Sequence, residues 1–264
     1  MEQLKLLSLE PWWVQAMGLF EDGSVRKAYL VPTTQRYCYT YKIGEDLGWR
    51  NVKSLSSSRS HLVGLTRNGQ VYIKAGSSYH FRGVETWTKV TLARAGYEIT
   101  AGLCEDGTLR YIYNGDTDFF EVKGKNIIDI TLYDRTGYGI DEEGTLFRFE
   151  DGEIQILTRT SGHVVQLGVI NNIIYGLTQE GIFKVLYGAD NDRILWRNVI
   201  RMVSGNYHLL GLTDQGEVLW LGNNSEQAEA LNPDRNIINI FAGCYHSIAM
   251  DDTGCLFSPV NYWN

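Results

Sequence analysis

The sequence predicts an all-β protein built by repeating one small hairpin unit. Three observations predict it: the composition, a recurring hairpin phrase, and the interval at which that phrase returns. The 264 residues include 28 glycines, four prolines, 16 tyrosines and seven tryptophans, as expected for many tight turns between strands of aromatic and β-branched residues. The phrase is clearest in GNYHLLGLTDQGEVLWLGNN, residues 205–224, where two short apolar runs meet at Asp214-Gln215-Gly216. Aligned on its turn glycine it recurs at Gly23, Gly69, Gly107, Gly144, Gly181, Gly216 and Gly254, at intervals of 46, 38, 37, 37, 35 and 38 residues. A period this regular marks units too small to bury an apolar face alone, so they must pack against their neighbours. Ring closure then removes the exposed sheet edges. The expected fold is a seven-bladed β-propeller, one domain over residues 1–264.

Each element of the unit has a local reason. At the turn, Asp, Asn, Glu, Gln or Thr precedes a glycine that supplies the left-handed backbone a hairpin loop needs. Five residues earlier stands another glycine in six copies and Ala249 in the seventh, which predicts close packing there. Upstream lies a further apolar stretch, as in NVKSLSS, NIIDITL, NVIRMVSG and NIINIFAG, often introduced by Trp or Asn, as in WRNV at Trp49 and Trp196. Downstream a polar segment differs in every copy. One unit is therefore three strands and a short fourth, with variable loops at its rim. Either KLLSLE near the start or VNYWN at the end is available to complete the last unit.

GNYHLLGLTDQGEVLWLGNN and AGCYHSIAMDDTGCLF resemble the repeat of the regulator of chromosome condensation, in which Gly, His, an apolar pair, a turn Gly and an aromatic-rich strand follow in order. The W-x-N-V lead-in looks like bacterial members of that superfamily. Chain length and unit number are also similar to the seven-bladed propeller β-lactamase inhibitor proteins. The resemblance implies a propeller that binds a protein partner, by covering an enzyme or by promoting guanine-nucleotide exchange on a small GTPase.

The formal charge of −7 argues against phosphate-backbone binding, which needs clustered Lys and Arg. Nucleic acid is not an expected partner. A basic start followed by an apolar run and cleavage site is missing from the first residues, and no stretch reaches membrane-spanning length. A cytoplasmic chain with no membrane partner, monomeric by itself, is expected. Cys38, Cys104, Cys244 and Cys255 form no metal-binding spacing, so free buried thiols are expected, with a Cys244–Cys255 bridge as the alternative.

His61, His208 and His246 each stand eight residues before a turn glycine. Copies related by rotation lie at different angles round an axis, so a shared metal is the weaker reading, and a framework role satisfying nearby polar groups the stronger. His80 and His163 fall outside this register, on loops. No nucleophile elbow, phosphate loop or His-Glu-x-x-His motif is present. Pairs such as Glu105-Asp106 and Glu142-Glu143 read as solvated turns, and GADNDR at 188–193 lacks the later ligands of a calcium loop. The expectation is a non-catalytic chain with no cofactor and no metal.

That leaves the variable loops. Tyr37, Tyr39 and Tyr41 lie in the long insertion of the first repeat, Tyr79, Phe81 and Arg82 after the second, and Phe119 and Phe120 after the third. Aromatics and Arg are the usual anchors of protein interfaces, and they equally cover seams between units. Trp12-Trp13 and Trp220 read as core. The first insertion is the leading candidate, because function tends to sit in the loops that break a repeat's period. The expected function is partner recognition through one loop face, with nucleotide exchange or carbohydrate binding as alternatives.

Overall fold

In the computed structural model, which describes residues 4–12, 15–188, 190–222, 228–232, 234–243 and 246–259, each repeat is an antiparallel meander. The first comprises β1 (Leu6–Trp12), β2 (Gln15–Phe20), β3 (Val25–Pro32) and β4 (Cys38–Asp46). The second has β5 (Val52–Ser57), β6 (His61–Thr66) and β7 (Val71–Ala75), and the third β8 (Val90–Ala95), β9 (Ile99–Cys104), β10 (Leu109–Tyr113) and β11 (Phe120–Val122). Next come β12 (Ile127–Tyr133), β13 (Thr136–Asp141), β14 (Thr145–Glu150) and β15 (Glu153–Arg159), then β16 (Val164–Ile170), β17 (Ile173–Thr178), β18 (Phe183–Tyr187) and β19 (Ile194–Trp196). The sixth repeat holds β20 (Val199–Ser204), β21 (His208–Thr213) and β22 (Val218–Gly222), and the last β23 (Ile237–Ala242), β24 (Ser247–Asp251) and β25 (Leu256–Phe257).

The first strands of successive repeats touch in sequence, β1 to β5, β5 to β8 and onward to β23, and β23 returns to β1. The ring is closed, which is the expected propeller. The sheets, however, number six. β4 pairs along most of its length with β3, while its first residues Cys38 and Tyr39 pair with Phe257 and Leu256 of β25. First and last repeats thus share one seven-stranded sheet, ordered β1-β2-β3-β4-β25-β24-β23.

This pairing explains the long first interval: the extra residues extend the β3–β4 hairpin until it reaches the last repeat. A Cys38–Cys255 disulfide, joining residues 217 apart in sequence, lies across the same junction. The expectation of free thiols is therefore corrected for these two cysteines, and the alternative Cys244–Cys255 pairing falls with it. Folding brings Cys38 and Cys255 to a Cα separation of 6.5 Å, within the bonding range. Cys104 is free and buried. Most of KLLSLE lies in innermost β1, and VNYWN lies outside the described residues.

All seven turn glycines have φ between 74° and 82°, the left-handed conformation the phrase predicts. The lead-in asparagines do the same on the facing connection, Asn51 at 59°, Asn126 at 45° and Asn198 at 59°, since Asn tolerates this region better than most side chains. The two bends are then hydrogen-bonded across repeats. Val52, Val90 and Val199 N–H donate to the carbonyls of Gly23, Gly69 and Gly181, each at 3.0 Å. Packing fixes the other glycine: a Cβ at Gly64 would lie 2.7 Å from the Trp49 ring, and at Gly102 or Gly211 3.0 Å from Trp87 or Trp196. The lead-in tryptophan lies flat on the second strand of its repeat, which requires glycine beneath it.

The framework histidines also join neighbours. His61 Nε2 lies 2.6 Å from Thr100 Oγ1 and its Nδ1 2.7 Å from Ser60 Oγ, while His208 Nε2 lies 2.7 Å from Ser247 Oγ. Thr100 and Ser247 occupy the same register position in the following repeat. Trp220, expected in the core, is partly buried and stacks on His208 with ring centroids 4.8 Å apart. The Trp12 side chain and Trp13 lie outside the described residues.

Candidate functional site

Alternate turns of a meander fall at opposite ends, so the ring has two unlike faces. One carries the uniform glycine turns and lead-in bends. The other gathers the turns between first and second strands with the variable segments after third strands. These are residues 33–37, 76–83, 114–119, 188 and 190–193, and the short helix α1 (Ala228–Leu231). Backbone bonds tie this second face together, as from Gly76 N–H to Ser60 O and from Gly115 N–H to His80 O.

The anchors expected from sequence divide on inspection. Tyr39 is 4% exposed and Phe81 5%; neither offers surface to a partner, which corrects that expectation for both. Tyr39 is held beneath the closing junction, and Phe81 packs on the His61 ring at 4.1 Å. Tyr41 is half-buried, its hydroxyl donating to Leu4 O at 3.2 Å. Phe119 meets Trp87 edge-on at 5.8 Å and Phe120 stacks on Tyr111 at 5.1 Å, so these two cover seams. Tyr79 is half-buried and donates to the Tyr97 hydroxyl at 3.3 Å. Tyr37 is half-buried with the Arg36 guanidinium 4.6 Å above its ring, and Arg82 is exposed. Tyr37, Tyr79 and Arg82 all belong to the variable face.

That face also holds residues the sequence reading passed over. Exposed Arg59, with its guanidinium 5.8 Å from the Tyr97 ring, and Tyr207, 41% exposed, border a recess of about 230 Å³ together with Tyr133, Asp134 and Asn206. These lie in the turns after the first strands, which the repeat makes short and which therefore seemed plain.

The recess leads towards an axial cavity of about 450 Å³ lined by the innermost strand of every repeat. The strand pattern dictates which side chains face it. Fourteen residues before each turn glycine stand Leu9, Leu55, Ala93, Ile130, Leu167, Met202 and Ile240, all buried. The flanking positions point the other way and carry Glu10, Arg94, Asp129, Gln166 and Arg201. Ser57 Oγ donates to Glu10 Oε2 at 2.9 Å, Arg94 lies 3.5 Å from Asp129 Oδ1, and the Leu167 N–H donates to Asp129 Oδ2 at 2.6 Å. Burial pushes the Glu10 carboxyl up to about 7, against the pull of Ser57 and Arg94, and raises Asp129 as well. The sequence signal was available: charged residues at the two positions, thirteen and fifteen before the turn glycine, that flank a buried apolar one.

Among the described residues no three His, Cys, Asp or Glu side chains gather to hold a metal ion, and no helix is long and apolar enough to cross a membrane. No family description and no curated protein matches the chain. Solved structures do. Human WBSCR16 superposes with a TM-score of 0.69 at 15% identity, over 96% of this chain and 88% of that one. The CRINKLY WD40 ectodomain of the Arabidopsis thaliana receptor kinase ACR4 gives 0.64 at 14%, over 97% and 98%. The matched chain of yeast RCC1 (Prp20) with Kap60 bound gives 0.59 at 14%, over 78% and 69%. At such identities likeness reaches the architecture and no further: the chain has the fold of an all-β propeller.

Proposed function

We propose that this chain is a non-catalytic recognition module, a seven-bladed propeller that binds a protein partner on its variable face. The blade count takes the seven-stranded sheet as two blades sharing β4. A divergent repeat of the chromosome-condensation regulator type is supported by the histidine that bridges to a hydroxyl of the next repeat and by the tryptophan seated on glycine. One observation carries the functional reading. The variable segments after the third strands emerge on the same face as the turns between first and second strands, which border a recess at Arg59, Tyr97 and Tyr207. A closed ring holds such loops in place beforehand, which reduces the ordering cost of association.

Occlusion of a partner enzyme, assembly of a complex and nucleotide exchange are finer forms of the same reading. The disulfide across the ring junction favours an oxidising compartment, which weighs against the cytoplasmic expectation. The test is quantitative affinity capture from the native source. Wild type is compared with a combined Arg59→Ala, Arg82→Ala, Tyr207→Ala variant and with an opposite-face Glu105→Ala, Glu142→Ala control. A partner lost only with the first variant supports the reading. Equal retention by all three chains overturns it.

A further inference from the structure

Among the described residues, one charge lining the axial cavity has no ion-pair partner. Four ionisable side chains reach it or its wall: Glu10 from β1, Arg94 from β8, Asp129 from β12 and Arg201 from β20. Arg94 has Asp129 at 3.5 Å, and Glu10 has the Ser57 hydroxyl at 2.9 Å. Arg201 makes neither an ion pair nor a hydrogen bond with any described residue; Glu10 attracts it only at longer range. Ile200 and Val203 line the cavity from the same strand, with polar Ser56, Ser57, Gln166 and Asn206 elsewhere in its wall.

We propose that the axial cavity binds a small organic acid, with the ligand carboxylate on the Arg201 guanidinium and its apolar body against Ile200 and Val203. Guanidinium presents paired donors in a plane that matches the two oxygens of a carboxylate. The Arg201 side chain is open to solvent within the cavity, where a ligand can reach it, and the neighbouring protein walls strengthen its attraction to an anion. The volume of about 450 Å³ lies within the range of small-molecule sites. Each innermost strand has a β-bulge at the residue sixteen before its turn glycine, and in the sixth repeat the bulged residue is Ile200. The bulge seats an exposed aliphatic side chain immediately beside Arg201, and bulges commonly re-aim side chains next to binding sites. The burial that pushes Glu10 up to about 7 leaves it mostly protonated at pH 6, where it does not compete with the ligand for Arg201. Above that pH the ionised Glu10, with Asp129 already paired to Arg94, opposes binding.

The experiment is titration calorimetry on the full chain at pH 6 with benzoate, succinate and inorganic phosphate as probes. Benzoate or succinate is expected to bind at one site, and Arg201→Gln to weaken it by about tenfold or more. Glu10→Gln is expected to preserve affinity at pH 6 and to retain it at pH 8, where wild type loses it. Protection of Arg201 from phenylglyoxal by benzoate, read by mass spectrometry on wild type, gives a second measurement that needs no variant. The proposal is overturned by no heat and no protection with either acid, by binding of phosphate alone, or by equal affinity of wild type and a folded Arg201→Gln chain.

Discussion

The junction between the second and third repeats and the junction between the last and the first hold the ring by different means. At the former, the repeat's own side chains suffice. His61 reaches Thr100, Trp87 lies on Gly102, and Val90 N–H bonds to Gly69 O. At the latter, the equivalent of Thr100 is Ala16, which has no hydroxyl, and Gln3 stands at the sequence position equivalent to Trp87. What holds that junction is a strand pair, Cys38 and Tyr39 against Phe257 and Leu256, and the Cys38–Cys255 bond. At this closing junction, hydrogen-bonded strand sharing and a covalent link stand where the second and third repeats use His61, Thr100 and Trp87. The lesson concerns loops as well, since the insertion that breaks the period serves closure.

This contrast can be broken at either side. Trp87 is fully buried, so Trp87→Ala should have the largest effect, a loss of about 3–5 kcal/mol in urea unfolding monitored by fluorescence of the remaining tryptophans. An undiminished midpoint would mean that the ordinary junctions do not rest on the tryptophan and glycine pair. Cys38→Ser should cost about 2–4 kcal/mol, because it releases a long closed loop in the unfolded chain. The pairing of β4 with β25 should survive, so amide exchange at Leu256 and Phe257 should stay slower than in a chain lacking the β3–β4 extension. Equal stability of the oxidised and reduced wild type would remove the covalent part of the latch.

The smallest effect sharpens the role of the histidines. Burial pushes His61 down to about 3 and His208 down to about 4. The unfolded chain, with histidines near 6.5, therefore binds protons that the folded ring refuses. Stability should fall as pH drops below about 6.5, by roughly 1.4 kcal/mol per pH unit for each histidine, until pH nears 4 for His208 and 3 for His61. Glu10 and Asp129 act in the opposite sense, since their raised carboxyls favour the folded state at low pH. Comparing wild type with His61→Gln in chemical unfolding from pH 4 to 7 isolates one histidine. The variant should show a shallower dependence by that amount, and identical slopes would refute the buried neutral ring.

Much of this was legible beforehand, for a definite reason. A turn glycine needs φ near +75°, an asparagine lead-in tolerates the same region, and a strand alternates its faces. All three are properties of a few consecutive residues, so the repeat, its hairpins and the framework place of His61 and His208 follow from local pattern. The buried state of Tyr39 and Phe81 was not legible, because the same aromatics serve interfaces and seams and only their neighbours decide which.

Sequence by itself determined the unit, its turns and the ring that such units must form to bury their faces. Tertiary structure decided the partners across that ring: that Cys38 meets Cys255, that β4 serves two repeats, and that Glu10, Arg94 and Arg201 share one axial space. Those contacts join residues as far as 217 positions apart. Distance along the chain carries no record of them, and they come into being only when rotation about a common axis brings the last repeat beside the first.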